Sequence, residues 1–591
     1  MGLILLLFVL PAIGAEALAR ALPARWRQPA LWGAIAAVIV AGGLHARYLY
    51  FDVWGPRADL YFVLEGDLEA AGHWLNEAAL PDEALFVASK FYQHPTMAAT
   101  ADDYDRVRWL MARDVLILPA ADQAARYVFP RSAPAGDWAA LLEPGRLAEL
   151  PPAPDGHAAF EAFRFAAGDA PTPAPTLPLE AYFGGVVALR GADVYPSARD
   201  YAEATLYWEV LAAPARDMRL TLDLRDAWGL PWAKDHVFVG DATTWQPGEW
   251  VITRVHVRVP PGTPPLDNYV LRAGWVEAET GALVPALDAQ GRYVSTAAAV
   301  PGVSVGRPHA APDQLPIQAS QPVQAAEGVR LLGWNRETLS ARPGDSVFLT
   351  LYWEADATTV HGDVFVRIHA VDAEGAGRLL WEGAPVHDMY PARVWLPNEI
   401  VADRYAGTLP HDLPPGEYAL MLRINDQGGG GVAVDLGPLT VEEVARTFTT
   451  PPFDERVDAL FGNAASRGDV IRLLGVTVDP RMAQPGAVVN VELVWQAEAE
   501  IEQSYTVFVH LYNPDSTIRT QQDHPPVDGA YPTNLWAPGE VVVDRYALAL
   551  PPDTPPGAYT LGVGFYLQEG GARLPVGDTD WLDLGTVLVA E

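Results

Sequence analysis

Along this chain the apolar positions change their spacing twice, and each change marks a different kind of structure. From Gly2 to Ala15 (GLILLLFVLPAIGA) and again from Ala30 to Leu44 (ALWGAIAAVIVAGGL) they are continuous, with Arg20, Arg25 and Arg27 between the runs. Runs approaching the ~20 residues of a spanning helix predict a transmembrane hairpin over 1–51, with Tyr48, Tyr50 and Phe51 as an interfacial aromatic belt. The arginines place the connecting loop in the cytoplasm, so the protein sits in the cell membrane with everything after about residue 51 on the extracytoplasmic side. A signal peptide is the rival reading, but no basic segment precedes the first run.

Between residues 58 and 168 the spacing becomes helical and then strand-like. DLEAAGHWLNEAAL sets Leu68, Ala71, Trp74, Leu75 and Ala78 on one helical face, and ALFVAS from Ala84 and DVLILP from Asp114 predict buried strands. Helix followed by apolar strand, more than once, predicts a small extracytoplasmic α/β domain. Its SKFYQHPT segment places Lys90, Tyr92, Gln93 and His94 in a loop after a strand end, where α/β folds bind ligands. A capped, solvated loop is the plainer reading of the same residues.

GDAPTPAPTLP, from Gly168, is a stiff proline-rich linker, and beyond it the apolar positions alternate with period two. VVALRG, VRLLG and VIRLLG end at Gly191, Gly333 and Gly475, 142 residues apart each time, and strands such as TLYWEV, FLTLYWEA and NVELVWQA follow. PARVWLPNEIVADRYAGTLPHDLPPGEY (391–418) and PTNLWAPGEVVVDRYALALPPDTPPGAY (532–559) match nearly position for position. TTWQPGEWVITR begins a worn third copy, with Trp245 as far before Pro265 as Trp395 is before Pro415. The pattern predicts three tandem immunoglobulin-like antiparallel β-sandwiches, at 179–307, 327–443 and 460–591, with linkers at AAPDQLPIQASQP and RTFTTPPFDERVD.

Composition narrows the function classes. The 591 residues carry a formal charge of −34 and no cysteine, which excludes a disulfide framework, a thiolate metal site and the basic surface that nucleic acid requires. No GxSxG elbow, HExxH helix or phosphate-binding glycine loop occurs, so no catalytic residue, cofactor or metal ligand is nominated; GGGG at 428–431 is a hairpin turn. His369 and His510 recur, each followed thirteen residues later by a carboxylate, Glu382 and Asp523, while Asp403 and Asp544 recur before an Arg and a Tyr. A histidine with carboxylates can relay a proton or hold a metal, but recurrence in a repeat favours a structural role. Asp223 and Asp226 in DLRD form an acidic pair, a weak sign of glycosidase chemistry. Trp353 and Trp495 fall on core faces, whereas Trp395 and Trp536, in loop-like WLPNE and WAPGE, are the candidates for exposed sugar-stacking platforms, beside Tyr92 and His94 as binding residues; packing against the neighbouring prolines is the plainer reading of both tryptophans.

A hydrophobic hairpin followed by AGHWLNEAALPDEALFVASKFYQHPT and VLILPAADQAARYVFPRS resembles the end of bacterial GT-C class membrane glycosyltransferases, relatives of the dolichyl-phosphate-mannose protein mannosyltransferases. The trailing VFVHL, QQDHPP, YPTNLWAPGE, DRYALALP and PPGAY segments resemble the outer domains appended to such enzymes in Chloroflexi-type bacteria. The resemblance implies a polyprenyl-phosphate sugar carrier and a cell-envelope glycan or protein as partners, besides the lipid bilayer. It also implies that the catalytic acidic loop lies upstream of Met1, so that this chain is the non-catalytic C-terminal, outward-facing portion. The alternative is a self-sufficient membrane-anchored surface protein whose sandwiches bind glycan or protein.

Overall fold

The computed structural model describes residues 13–590 apart from 19, 56, 112, 198–199, 292, 308–309, 358–360, 426–430 and 463–468. Most of the first apolar run, and most of the tetraglycine, fall outside the described residues. The chain forms two compact units, Met1–Pro173 with Gly248–Val251, and Ala174–Pro247 with Ile252–Glu591.

In the first unit, α1 (Ala24–Arg47) continues as a π-helical segment, Tyr48–Trp54, and none of its residues is buried. Over Ala24–Trp54 it is long and apolar enough to cross a membrane. Trp32, Val38, Ile39 and Leu44 point outward from it, as a helix facing lipid requires.

The short helix α2 (Ala58–Val63) leads into α3 (Gly66–Ala78), which buries Leu68, Ala71 and Leu75 as its apolar spacing predicts. Asp67, fully buried at the start of α3, accepts the backbone N–H of Ser132 at 2.8 Å and ties the helix to the loop beyond the third strand of its sheet. That sheet runs β2–β1–β4–β5, with β1 (Ala84–Ser89) parallel to β2 (Val107–Met111) and β4 (Ala125–Pro130), and β5 (Phe160–Phe165) antiparallel to β4. The predicted strand at DVLILP forms as β3 (Val115–Leu118) but stands outside this sheet. Glu83, buried at the foot of β1, is held by Arg126 at 2.9 Å and Arg164 at 2.5 Å, which pairs the charge that burial would otherwise penalise.

The second unit is three β-sandwiches. The second and third repeat the same plan: a four-stranded sheet facing a five-stranded path that ends in a two-residue parallel strand, Ser340–Ala341 in one and Met482–Ala483 in the other. Register repeats as well, since Leu351 lies opposite Asp403 and Leu493 opposite Asp544. Trp208, Trp353 and Trp495 fill the three cores, the last two as their strand positions predict.

Each sandwich opens with a strand that the expected boundaries cut or omit: Leu177–Phe183, Ala319–Ala326 and Glu455–Phe461. The last two lie partly in segments predicted to be linkers. They are edge strands with exposed polar residues and, in the second, a proline, so their composition imitates a linker. They also explain the glycines spaced by 142 residues. A Cβ on Gly191 would meet Pro175 at 2.4 Å, on Gly333 the Ala319 carbonyl at 2.3 Å, and on Gly475 the Phe453 ring at 2.3 Å. Each glycine lies at a break in register, where the opening strand or its lead-in crosses too closely for any side chain.

The sandwiches touch in all three pairings. Trp228 of the first stacks on His387 of the second at 4.4 Å, and Arg342 of the second donates to the Ala530 carbonyl of the third at 2.8 Å. Tyr293 of the first packs on Tyr566 of the third at 5.2 Å, a contact that tandem spacing alone does not imply.

Candidate functional site

The loop after β1 is pinned rather than open. His94 caps the short helix Pro95–Thr100, its Nδ1 accepting the Thr96 N–H at 3.3 Å, while its Nε2 lies 3.1 Å from Glu65. Glu65 also accepts the Thr96 hydroxyl at 2.6 Å, and it takes a left-handed φ of 62° to reach this cluster. His94 is buried with its ring committed at both nitrogens, and Tyr92 is half-buried against the hydrophobic core of the α/β domain. Lys90 and Phe91 remain exposed beside them.

Trp395 and Trp536 do not serve as exposed platforms. Each follows a 3₁₀ turn and is turned inward, 3 % and 0 % exposed, with its indole N–H donating to the carbonyl of Tyr390 at 2.9 Å and of Tyr531 at 3.0 Å. A ring that finds a carbonyl five residues upstream can be buried without losing a hydrogen bond, so the apolar area decides its place. Trp245 of the worn copy is equally buried after its own 3₁₀ turn.

The repeated histidines diverge. His510 contacts Asp523 at 2.9 Å and the Tyr512 hydroxyl at 3.1 Å, and it is buried. In the second copy Arg367 stands opposite Glu382 and takes that carboxylate at 2.9 Å, where the third copy has Phe508 opposite Asp523. Among the described residues no group of three metal-ligating side chains is assembled. The DLRD carboxylates are also committed: Asp223 to Arg225 at 2.8 Å, and Asp226 to the N–H groups of Trp228, Leu230 and the Trp232 indole at 2.9–3.0 Å. Both oxygens of Asp226 thus accept hydrogen bonds that organise a turn.

A recurring clasp escaped sequence reasoning. The glutamate four residues after each tryptophan of the repeated turn is largely buried and gripped by an arginine from elsewhere in the chain: Glu249 by Arg108, Glu399 by Arg307 at 3.5 Å, and Glu540 by Arg446 at 2.5 Å. Arg446 also donates to the Tyr531 hydroxyl at 3.0 Å and the Leu535 carbonyl at 2.9 Å. W-x-x-x-E was visible in all three copies, but the arginines sit in segments that do not repeat as a motif.

A cavity of about 570 Å³ in the second unit is able to take a ligand. Its walls are Leu179, Ala181, Val270, Leu287, Val294 and Ala297–Ala299 of the first sandwich, closed on one side by Glu569 and Gly570 of a hairpin of the third. Arg225 and Arg272 are the cations in its lining. None of the sequence-nominated residues Tyr92, His94, Trp395 or Trp536 lines it. Compared with models of known protein families and with characterised proteins, the chain matches none.

Proposed function

We propose that this chain is the outward-facing, non-catalytic C-terminal portion of a polyprenyl-phosphate-sugar-dependent membrane glycosyltransferase, with three immunoglobulin-like sandwiches that hold acceptor or neighbouring envelope material. The observation that carries this reading is the junction between the apolar helix and the α/β domain. Only residues 55–57 separate the membrane-length helix Ala24–Trp54 from α2, so the α/β domain has almost no tether and is held at the membrane surface, where a lipid-linked sugar would be presented. The test is sugar transfer from a labelled polyprenyl-phosphate hexose in membranes of cells with and without the gene. Transfer to envelope material should fall when this portion of the gene is deleted and return when it is restored; unchanged transfer would overturn the proposal.

The cavity favours a second reading, a self-sufficient anchored binding protein, because its walls lie wholly within the second unit. Unchanged transfer together with retained ligand binding would select it.

A further inference from the structure

We propose that the 570 Å³ cavity binds an aliphatic monocarboxylate, and that the Glu569 carboxylate marks the position the ligand's carboxylate takes, the two competing for the same guanidinium groups.

The donors are fixed independently of Glu569. Arg225 is anchored by Asp223 at 2.8 Å and by the Gly229 carbonyl at 3.2 Å, and Arg272 by the Ser295 hydroxyl at 3.3 Å. Both guanidinium groups then converge on one oxygen of Glu569, Arg225 from 3.4 Å and Arg272 in a short contact. The acceptor is the loose member of this set, since the Glu569 side chain is 64 % exposed while that of Arg272 is 15 % exposed. Two convergent guanidiniums on a rigid sandwich, answered by a solvent-exposed carboxylate at the end of a hairpin, form a carboxylate site whose own occupant can be exchanged.

Charge selects a monoanion. The lining already holds Glu180, Asp226, Asp288 and Glu569 against two arginines, so a phosphate dianion adds two charges to an acidic lining, whereas a carboxylate that displaces the tethered Glu569 from the guanidinium groups adds one. The walls select the body of the ligand. Their apolar part is aliphatic with no aromatic ring, which offers a hydrocarbon chain contact area and gives a sugar ring no stacking face. The hairpin is seated closely: a Cβ on Gly571, whose φ is +62°, would meet the Val294 Cα at 2.8 Å. The third sandwich therefore completes the cavity and supplies the competing carboxylate in one contact.

The test is calorimetric titration of the full chain in lipid nanodiscs with butyrate, pentanoate and hexanoate, blanked against empty nanodiscs. Affinity should rise about fourfold per methylene, the equivalent of ~0.8 kcal/mol for each buried CH₂. Hexanol should bind at least tenfold more weakly than hexanoate. Arg272→Ala should weaken hexanoate at least tenfold, and Glu569→Gln should tighten it severalfold, a gain that a misfolded variant cannot mimic. No binding by either the natural protein or Glu569→Gln, affinity independent of chain length, or affinity unchanged in Arg272→Ala would each overturn the proposal.

Discussion

The indole N–H of Trp353 donates to the carboxylate of Asp403 at 3.1 Å, joining the core of the second sandwich to a left-handed turn. The same carboxylate accepts the Val386 N–H at 2.9 Å and the Tyr405 hydroxyl. Val386, His387 and Asp388 all have positive φ, 52°, 52° and 66°, a conformation costly for a β-branched residue and sustained only where its surroundings over-determine it. Asp544 repeats the turn contacts without the indole one, accepting the Val527 N–H at 2.9 Å and the Tyr546 hydroxyl at 2.6 Å, with Val527 at φ 58°. The recurrent aspartates are thus pins for a strained turn. In the first copy Thr253 stands at the corresponding position and accepts the Trp208 indole N–H at 3.1 Å.

Burial pushes the Asp403 carboxyl up to about 7, against hydrogen bonds from Tyr405, Val386 and Trp353 that favour the charged form. Its folded-state value is above that of the unfolded chain, so between about pH 4 and 7 the folded state binds more protons. Stability contributed by this group is therefore present below pH 4 and is lost as pH rises to about 7, by up to roughly 4 kcal/mol. Thermal unfolding of Asp403→Asn across that range should lack this component, giving a flatter pH profile for the second sandwich than the natural protein. An identical slope in both would refute the assignment.

Trp536→Ala should cost about 3–5 kcal/mol in the third sandwich, and Trp395→Ala as much in the second, because each empties a core site and orphans a carbonyl. Chemical denaturation measures this directly. A change below 1 kcal/mol in either would mean that the ring is not packed as described.

Arg446→Ala should destabilise the third sandwich by about 3–5 kcal/mol, since it leaves the buried Glu540 carboxylate without its cation. Restoring most of that loss with the double substitution Arg446→Ala, Glu540→Gln would show that the cost is the stranded charge. Failure of the second change to recover stability would instead point to lost packing of the arginine stem.

Gly475→Ala should cost about 1–3 kcal/mol, the range for forcing extra volume into a packed site, because the new methyl meets the Phe453 ring. Phe453→Ala in the same chain should relieve part of it. Urea midpoints of the two single variants and the double variant decide the matter, and strict additivity would count against the contact.

With no native cysteine, single-cysteine variants report topology cleanly. Glu374→Cys, on an exposed hairpin of the second sandwich, should react with a membrane-impermeant maleimide in intact cells, and Ala21→Cys, before the apolar helix, only after lysis. The reverse pattern would invert the orientation that the arginines imply.

Periodicity was enough to read α3, the buried strands at Ala84 and Val115, the three-fold repeat and the core positions of Trp353 and Trp495, because apolar spacing responds to which face of an element is dry. It failed to decide Trp395 and Trp536, for which packing rather than exposure is the plainer alternative and the one that forms. Their flanking prolines and glycines are loop chemistry, and a loop says nothing about whether a ring folds over the core or away from it. It failed again at the opening strands, whose exposed polar residues obey the rules of a sheet edge and so look like linker.

By itself, then, the sequence determined the kind of the elements with a dry face and the repeat that orders them, since both follow from local spacing and from glycines that tolerate no side chain. Only the tertiary structure decided the partners: that Arg446 grips Glu540 across 94 residues, that Glu382 goes to Arg367 while Asp523 goes to His510, and that Arg272 meets Glu569 across 297. Charge pairing depends on distance in space, and every arginine in a chain has the same local signature until folding chooses which carboxylate it faces.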